Sequence, residues 1–133
     1  MDIDAATLLP HRAPMLMIDR LVDAGPGTAV AEATLGDGCL GVSAGRVLEA
    51  ALVECVAQTA AAGKAVAAAG AGPAAPGLLA GVSDFRVFRR PAAGERLTIR
   101  IREDRRLGPL TLVSGEVLAG GERVAAGQLK LHG

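Results

Sequence analysis

Glu54 is a lone carboxylate in the segment AALVECVAQTAAAG, a run of helix-forming apolar residues. From Val47 to Gly63 the only charged residues are Glu49 and Glu54, and a helix that is apolar on every side is normally buried in a core or against a partner. A carboxyl group in such surroundings loses the hydration of its ionised form, which suits it to hold or accept a proton at neutral pH. Gln58 follows one turn later on the same helical face, where its amide can bond the carboxyl or a bound substrate. The competing reading is a surface glutamate on an ordinary amphipathic helix; the scarcity of other polar residues around Glu54 weighs against it.

The remaining reactive side chains are few. Cys39 and Leu40 lie in the glycine-rich stretch GDGCLGVSAG just ahead of the helix, a loop of small side chains expected to approach the helix closely. No cation stands beside Cys39 in the sequence to activate its thiol. Asp37 reads either as a base or, more simply, as a loop cap. His11 belongs to a Pro-His-Arg loop and has a structural reading, and His132 is one residue from the end. Two Cys and two His in no metal-ligand spacing provide for no metal, and no cofactor motif is present.

These residues need a scaffold. At 133 residues the chain makes one domain, 1–133, with room for a real core. Fourteen basic residues balance fourteen acidic ones and the only aromatics are two Phe, so neither a global field nor a set of stacking platforms points to nucleic acid. The opening MDIDAATLLPHR is acidic rather than basic-then-apolar, and no apolar run reaches the ~18 residues of a span. A cytoplasmic location without membrane insertion is expected.

Periodicity gives the order of elements. The first ten residues hold one short helix, and MLMIDRLVDAG (15–25) reads as an apolar strand. From Thr28 to Leu35 polar or bulky and small residues alternate, the period of a half-buried strand, with Gly-Pro-Gly as the turn before it. Residues 36–45 form a loop, a helix runs from about Arg46 to about Ala68, and AGAGPAAPG (69–77) is a flexible connector. Four strands follow, LLAGVSDFRVFRR, ERLTIRIREDRR, PLTLVSGEVLAG and ERVAAGQLKLHG, separated by Gly or Pro turns. The expected class is α+β, a curved antiparallel sheet wrapped around one long central helix. Such a sheet leaves edge strands and covers the helix on one side only, so pairing with a second copy is expected, with a pocket at the seam.

The stretch LLPHRAPMLMIDRLVDAG resembles the opening of the 3-hydroxyacyl-acyl-carrier-protein dehydratases. ECVAQTAAAG is similar to the Glu-Ala-Met-Ala-Gln core of their central helix, and VSDFRVFRRPAAGERLTIRI to their basic strand, Pro-containing turn and following strand. The resemblance implies a hot-dog fold, a 3-hydroxyacyl thioester of acyl carrier protein as substrate, and Glu54 as the acidic catalytic residue, with Gln58 at the family's glutamine. It also exposes a departure. The family's loop ahead of the helix carries a His-Phe-Pro motif whose His takes the proton next to the thioester carbonyl while the Glu of the other subunit assists departure of the hydroxyl. In this chain the loop holds no His, and Cys39 or Leu40 falls nearest its register. The Pro-Met-Leu strand and Glu-x-x-Ala-Gln-Thr helix resemble a divergent dehydratase-like branch associated with aryl-polyene biosynthesis.

Three functions remain open on this reading. One is a dehydratase-like hydro-lyase using Glu54 and a substitute for the missing base. Another is an acyl thioesterase in which Glu54 activates water, since one fold hosts both chemistries. The third is a non-catalytic subunit that binds acyl chains or supports a His-bearing homologue. The partners implied are acyl carrier protein and a second hot-dog chain, as a homodimer, a higher oligomer of dimers or a heterodimer. Arg86, Arg89 and Arg90 in DFRVFRRP are candidate contacts for an acidic carrier protein, the alternative being a solvated strand edge.

Overall fold

The structure is a computed structural model that describes residues 1–68 and 78–132. Nine strands and one long helix follow in chain order: β1 (Ile3–Asp4), β2 (Arg20–Gly25), β3 (Thr28–Thr34), β4 (Val42–Ser43), β5 (Arg46–Val47), α1 (Glu49–Ala67), β6 (Leu78–Val87), β7 (Arg96–Leu107), β8 (Leu110–Ala119) and β9 (Glu122–His132). Seven of the strands form one antiparallel sheet in the order β1-β2-β3-β7-β8-β9-β6, while β4 and β5 form a separate small hairpin. The sheet wraps α1, giving the hot-dog architecture and the α+β class expected.

The alternation in β7 decides which side is wet. Leu97, Ile99 and Ile101 are buried against the helix while Arg96, Arg100 and Arg102 point outward. Register carries that choice across the sheet, because Ile99 pairs with Val117 and Val113 with Leu129. From the helix, Leu52, Cys55 and Val56 enter the same core, each fully buried; burying Leu52 alone contributes about 1.5–3 kcal/mol. Small residues set how closely helix and sheet approach. A Cβ at Gly63 would stand 2.9 Å from that of Ala29, and one at Gly115 would run into the Val56 side chain. Gly115→Ala is therefore expected to destabilise the fold by about 1–3 kcal/mol through overpacking. Urea unfolding measures this, and a variant as stable as the parent would show that α1 can be displaced from the sheet at little cost.

Several boundaries differ from the sequence reading. The helix begins at Glu49 rather than Arg46, because Arg46–Val47 pairs with Val42–Ser43 inside the stretch expected to be loop. Ala44 and Gly45 both take positive φ (52° and 74°), the backbone of a tight two-residue hairpin turn. The first ten residues form a two-residue strand and a single 3-10 turn, Ala5–Thr7, capped by the Asp4 carboxylate. Within 15–25 only β2 is a strand; Met15–Ile18 is held by a side chain instead of a neighbouring strand. The connector expected at 69–77 lies outside the described residues. The four C-terminal strands stand where the alternation places them.

Candidate active site

Helix α1 presents two kinds of surface. Ala51, Leu52, Cys55, Val56, Gln58, Thr59, Ala60, Ala62 and Ala65 are buried in the core. Ala50, Val53, Glu54, Ala57, Ala61 and Lys64 recur at three- and four-residue spacing and stay at least partly open. The helix is therefore not enclosed on all sides. It has an open stripe, largely of small apolar residues, and Glu54 stands on it half-buried. Among the described residues the Glu54 carboxylate takes part in no hydrogen bond or ion pair, so its oxygens are available to a ligand or a partner chain.

Gln58 is not the carboxyl's partner. Its side chain turns into the core, where Oε1 accepts from the backbone N–H of Met17 (2.8 Å) and Ile18 (3.3 Å) and Nε2 donates to the Met15 carbonyl (2.9 Å). With the residue 1% exposed, the amide acts as a clamp that substitutes for a strand partner along Met15–Ile18. The expectation that Gln58 bonds Glu54 is corrected accordingly. The i+4 spacing holds, but one amide cannot serve both the clamp and the open stripe.

The loop ahead of the helix closes over the N-terminal end of α1. Gly41 accepts from Leu48 N–H (2.8 Å), and a Cβ on Gly41 would sit 2.6 Å from that of Ala51, so only glycine fits. Cys39 is half-buried, with its Sγ 3.7 Å from Met17 Sδ and accepting from Gly41 N–H at 3.3 Å. Leu40 is 59% exposed beside it. Cys39, Met17 and Gln58 thus form one contact chain that runs from the loop to the middle of the helix, and Glu54 stands one turn from both Ala51 and Gln58. His11 lies in the preceding loop, its Nδ1 buried with no hydrogen-bond partner. Asp37 is exposed at the loop's start.

The second thiol is chemically silent. Cys55 is fully buried, and desolvation first, then the neighbouring Glu54 charge, pushes its thiol up to about 12. The unfolded chain releases this proton near 9 while the folded chain retains it. Its contribution to stability is complete below about pH 9 and is lost as pH climbs toward 12. Under native conditions near pH 8, a thiol reagent is expected to label Cys39 and reach Cys55 only on unfolding. Labelling of both in the native protein would contradict the packing around α1.

The three arginines separate. Arg89 is gripped by Glu95 (3.0 and 3.2 Å, bidentate) and by Glu122 (3.0 and 3.2 Å). Hydrogen bonding to Glu95 chiefly, then to Glu122, raises the guanidinium above its ordinary range, and the same Arg89 bonds hold the Glu95 carboxyl below the usual carboxylate range. Arg90 donates to the Val47 carbonyl at 2.9 Å, tying the segment after β6 to the start of the helix. Arg86 is exposed and forms no ion pair among the described residues. Sequence reasoning missed the clamp role of Gln58 and the ion-pair role of Arg89. The Gln58 partners lie some 40 residues back, beyond the reach of local spacing, whereas Arg89 reaches Glu95 six residues on across a turn and Glu122 in a distant strand. Among the described residues no group of three or more His, Cys, Asp or Glu could hold a metal ion, and no helix is long and apolar enough to cross a membrane.

Comparison with known proteins bears on this geometry. The sequence model of the ApeP-like family, described as ApeP dehydratase, matches residues 3–132. No curated protein matches the chain. Among solved structures, the dehydratase heterocomplex ApeI:P from Xenorhabdus doucetiae superposes with a TM-score of 0.87 at 20% identity, covering 98% of this chain and 90% of that one. PaaI of the E. coli phenylacetic acid degradation operon gives 0.66 at 14% identity (85% and 81% covered). A hypothetical thioesterase with coenzyme A from Streptococcus pneumoniae gives 0.66 at 12% (84% and 82%). At these identities the structures establish the hot-dog fold. The family match, spanning nearly every residue, establishes the lineage: the chain belongs to the ApeP-like dehydratases.

Proposed function

We propose that this chain is the glutamate-bearing half of a two-chain dehydratase acting on 3-hydroxyacyl thioesters of acyl carrier protein, its missing base supplied by a His-bearing hot-dog partner. The observation that carries the reading is Glu54 itself, an unpaired carboxylate on an open, largely apolar helix stripe, beneath a loop without histidine. Such a stripe gains by being covered, and a covering chain would enclose the carboxyl in a site of low dielectric. The heterocomplex ApeI:P is a two-component dehydratase assembly of the same fold, which supports a heteromeric arrangement.

In the proposed reaction the partner's imidazole removes the proton from C2 of the 3-hydroxyacyl thioester. The Glu54 carboxyl delivers a proton to the hydroxyl on C3, the C3–O bond breaks, and the C2–C3 double bond forms. Water and the enoyl thioester are the products, so two carboxyl and imidazole roles suffice without a cofactor. Cys39 and Leu40 border the acyl thioester, and Gln58 keeps the Met15–Ile18 wall in place.

The test mixes the chain with a His-bearing hot-dog homologue from the same gene neighbourhood and follows enoyl formation from a 3-hydroxyacyl carrier protein. The mixture is expected to turn over while this chain alone does not. A second reading, thioester hydrolysis, draws on the structural likeness to a hot-dog thioesterase. Release of free thiol from acyl-pantetheine by this chain alone would favour it and overturn the two-chain dehydratase.

A further inference from the structure

The open stripe on α1 has a symmetry that a single chain cannot use. Between Ala50 and Ala68 the only charged residues are Glu54 and Lys64, and both stand on the stripe at least partly open. At about 100° per residue, Ala50, Glu54, Ala57, Ala61, Lys64 and Ala68 fall within about 40° of one line along the helix. Counted from the level of Thr59 they form balanced pairs. Glu54 and Lys64 stand five residues to either side, Ala57 and Ala61 two, Ala50 and Ala68 nine. A two-fold axis at that level, which reverses the direction of the helix, therefore sets alanine against alanine and carboxylate against ammonium.

Within one chain the two charges cannot meet. Ten residues of helix hold Glu54 and Lys64 about 15 Å apart along the axis. Two antiparallel copies whose facing side chains are alanine approach to the short end of the about 8–10 Å interaxial range. Glu and Lys side chains at one level across such a seam are within reach of each other. Lys64 has partners in its own chain, among them Thr111 Oγ1 at 3.3 Å, and its four-carbon stem lets the ammonium turn toward another. Desolvation chiefly, then the charge of Arg106, lowers this lysine from its ordinary range, so a carboxylate arriving over the stripe stabilises its charged form. A purely apolar partner would instead cover two charges without pairing either.

We propose that two copies of this chain pair antiparallel through the α1 stripe, with Glu54 of each bonded to Lys64 of the other. Charge complementarity selects a second copy as the occupant, because an all-acidic or all-basic surface would match only one end of the stripe. The seam is one helix wide, well short of the about 1,600 Å² of a standard stable interface, so the pair is weak and exchanges readily. While it lasts, the Glu54 carboxylate is occupied. The pairing is thus a resting arrangement that closes Glu54 to other ligands until the copies separate. It stands on the stripe and does not depend on the reaction proposed above.

Sedimentation velocity of the full-length chain over a concentration series reads the pairing directly. Glu54→Lys alone and Lys64→Glu alone each set like charges together at both ends of the seam, and each is expected to raise the dimer Kd at least about tenfold. Combined in one chain, the two substitutions recreate opposite pairs, and the Kd is expected to return to within about threefold of the parent. Glu116→Lys on the outer face of the sheet changes net charge equally and leaves the Kd unchanged. Carbodiimide coupling of mixed unlabelled and isotopically heavy protein should join Glu54 of one copy to Lys64 of the other, and circular dichroism confirms that each variant is folded. A chain that stays monomeric throughout the series, a double variant no tighter than the single ones, equal weakening by Glu116→Lys, or coupled peptides that never join Glu54 to Lys64 would each overturn the proposal.

Discussion

Glu54→Gln in this chain is expected to reduce the turnover of the reconstituted two-chain complex by at least about a hundredfold, with assembly and protein stability unchanged. The amide is nearly isosteric with the carboxyl but cannot hand a proton to a departing hydroxyl. Because the wild-type carboxylate forms no bond among the described residues, its replacement removes no structural contact. Steady-state kinetics should place the loss in kcat rather than in KM, since the carboxyl acts on the leaving group and not on the acyl chain. A variant that retains full turnover would remove Glu54 from the chemistry and leave the third possibility, a supporting subunit.

Gln58→Met is expected to behave in the opposite way, damaging the fold before the chemistry. Methionine matches the side chain in length, but it leaves the buried N–H groups of Met17 and Ile18 without their acceptor and the Met15 carbonyl without its donor. Orphaning groups of this kind costs about 1–3 kcal/mol each, so with three groups a loss of at least about 3 kcal/mol is expected from urea unfolding. Hydrogen exchange at Met17 and Ile18 should accelerate with it. Gln58→Glu serves as the companion variant, keeping an acceptor for the two N–H groups while losing the bond to Met15. Stability unchanged in Gln58→Met would mean that a strand or another side chain can take over the clamp.

The contrast between the two residues shows where sequence was informative. Alternation in Leu97, Ile99 and Ile101 reports directly on a two-faced sheet, so the C-terminal strands and the wrapped helix were legible. Alanine does not report its environment in the same way. The run of Ala around Glu54 suggested a helix buried on all sides, whereas Ala50, Ala57 and Ala61 line an open stripe. Gln58 looked like the natural partner of Glu54 because both lie on one helix at i+4, but its bonds reach back some 40 residues to a segment with no strand partner of its own. The β4-β5 hairpin was hidden for a different reason. Its turn relies on a positive φ at Ala44, which residue type does not announce.

The arginine-rich segment at the end of β6 teaches the same lesson about charge. Three guanidinium groups in five positions read as one patch, yet Arg89 closes an ion-pair set with Glu95 and Glu122, and Arg90 anchors the start of the helix. Arg86 stands apart from both, in the cross-strand row that runs through Ala126 and Glu116 to Arg100.

The central claim, that Glu54 completes an active site shared with a second chain, is tested most directly by a crystal structure of the two-chain complex bound to a non-hydrolysable 3-hydroxyacyl pantetheine amide. The account predicts the Glu54 carboxyl within about 3 Å of the C3 hydroxyl, with an imidazole of the partner chain facing C2. A Glu54 side chain left in solvent, or packed against the partner with no path to the ligand, would contradict it.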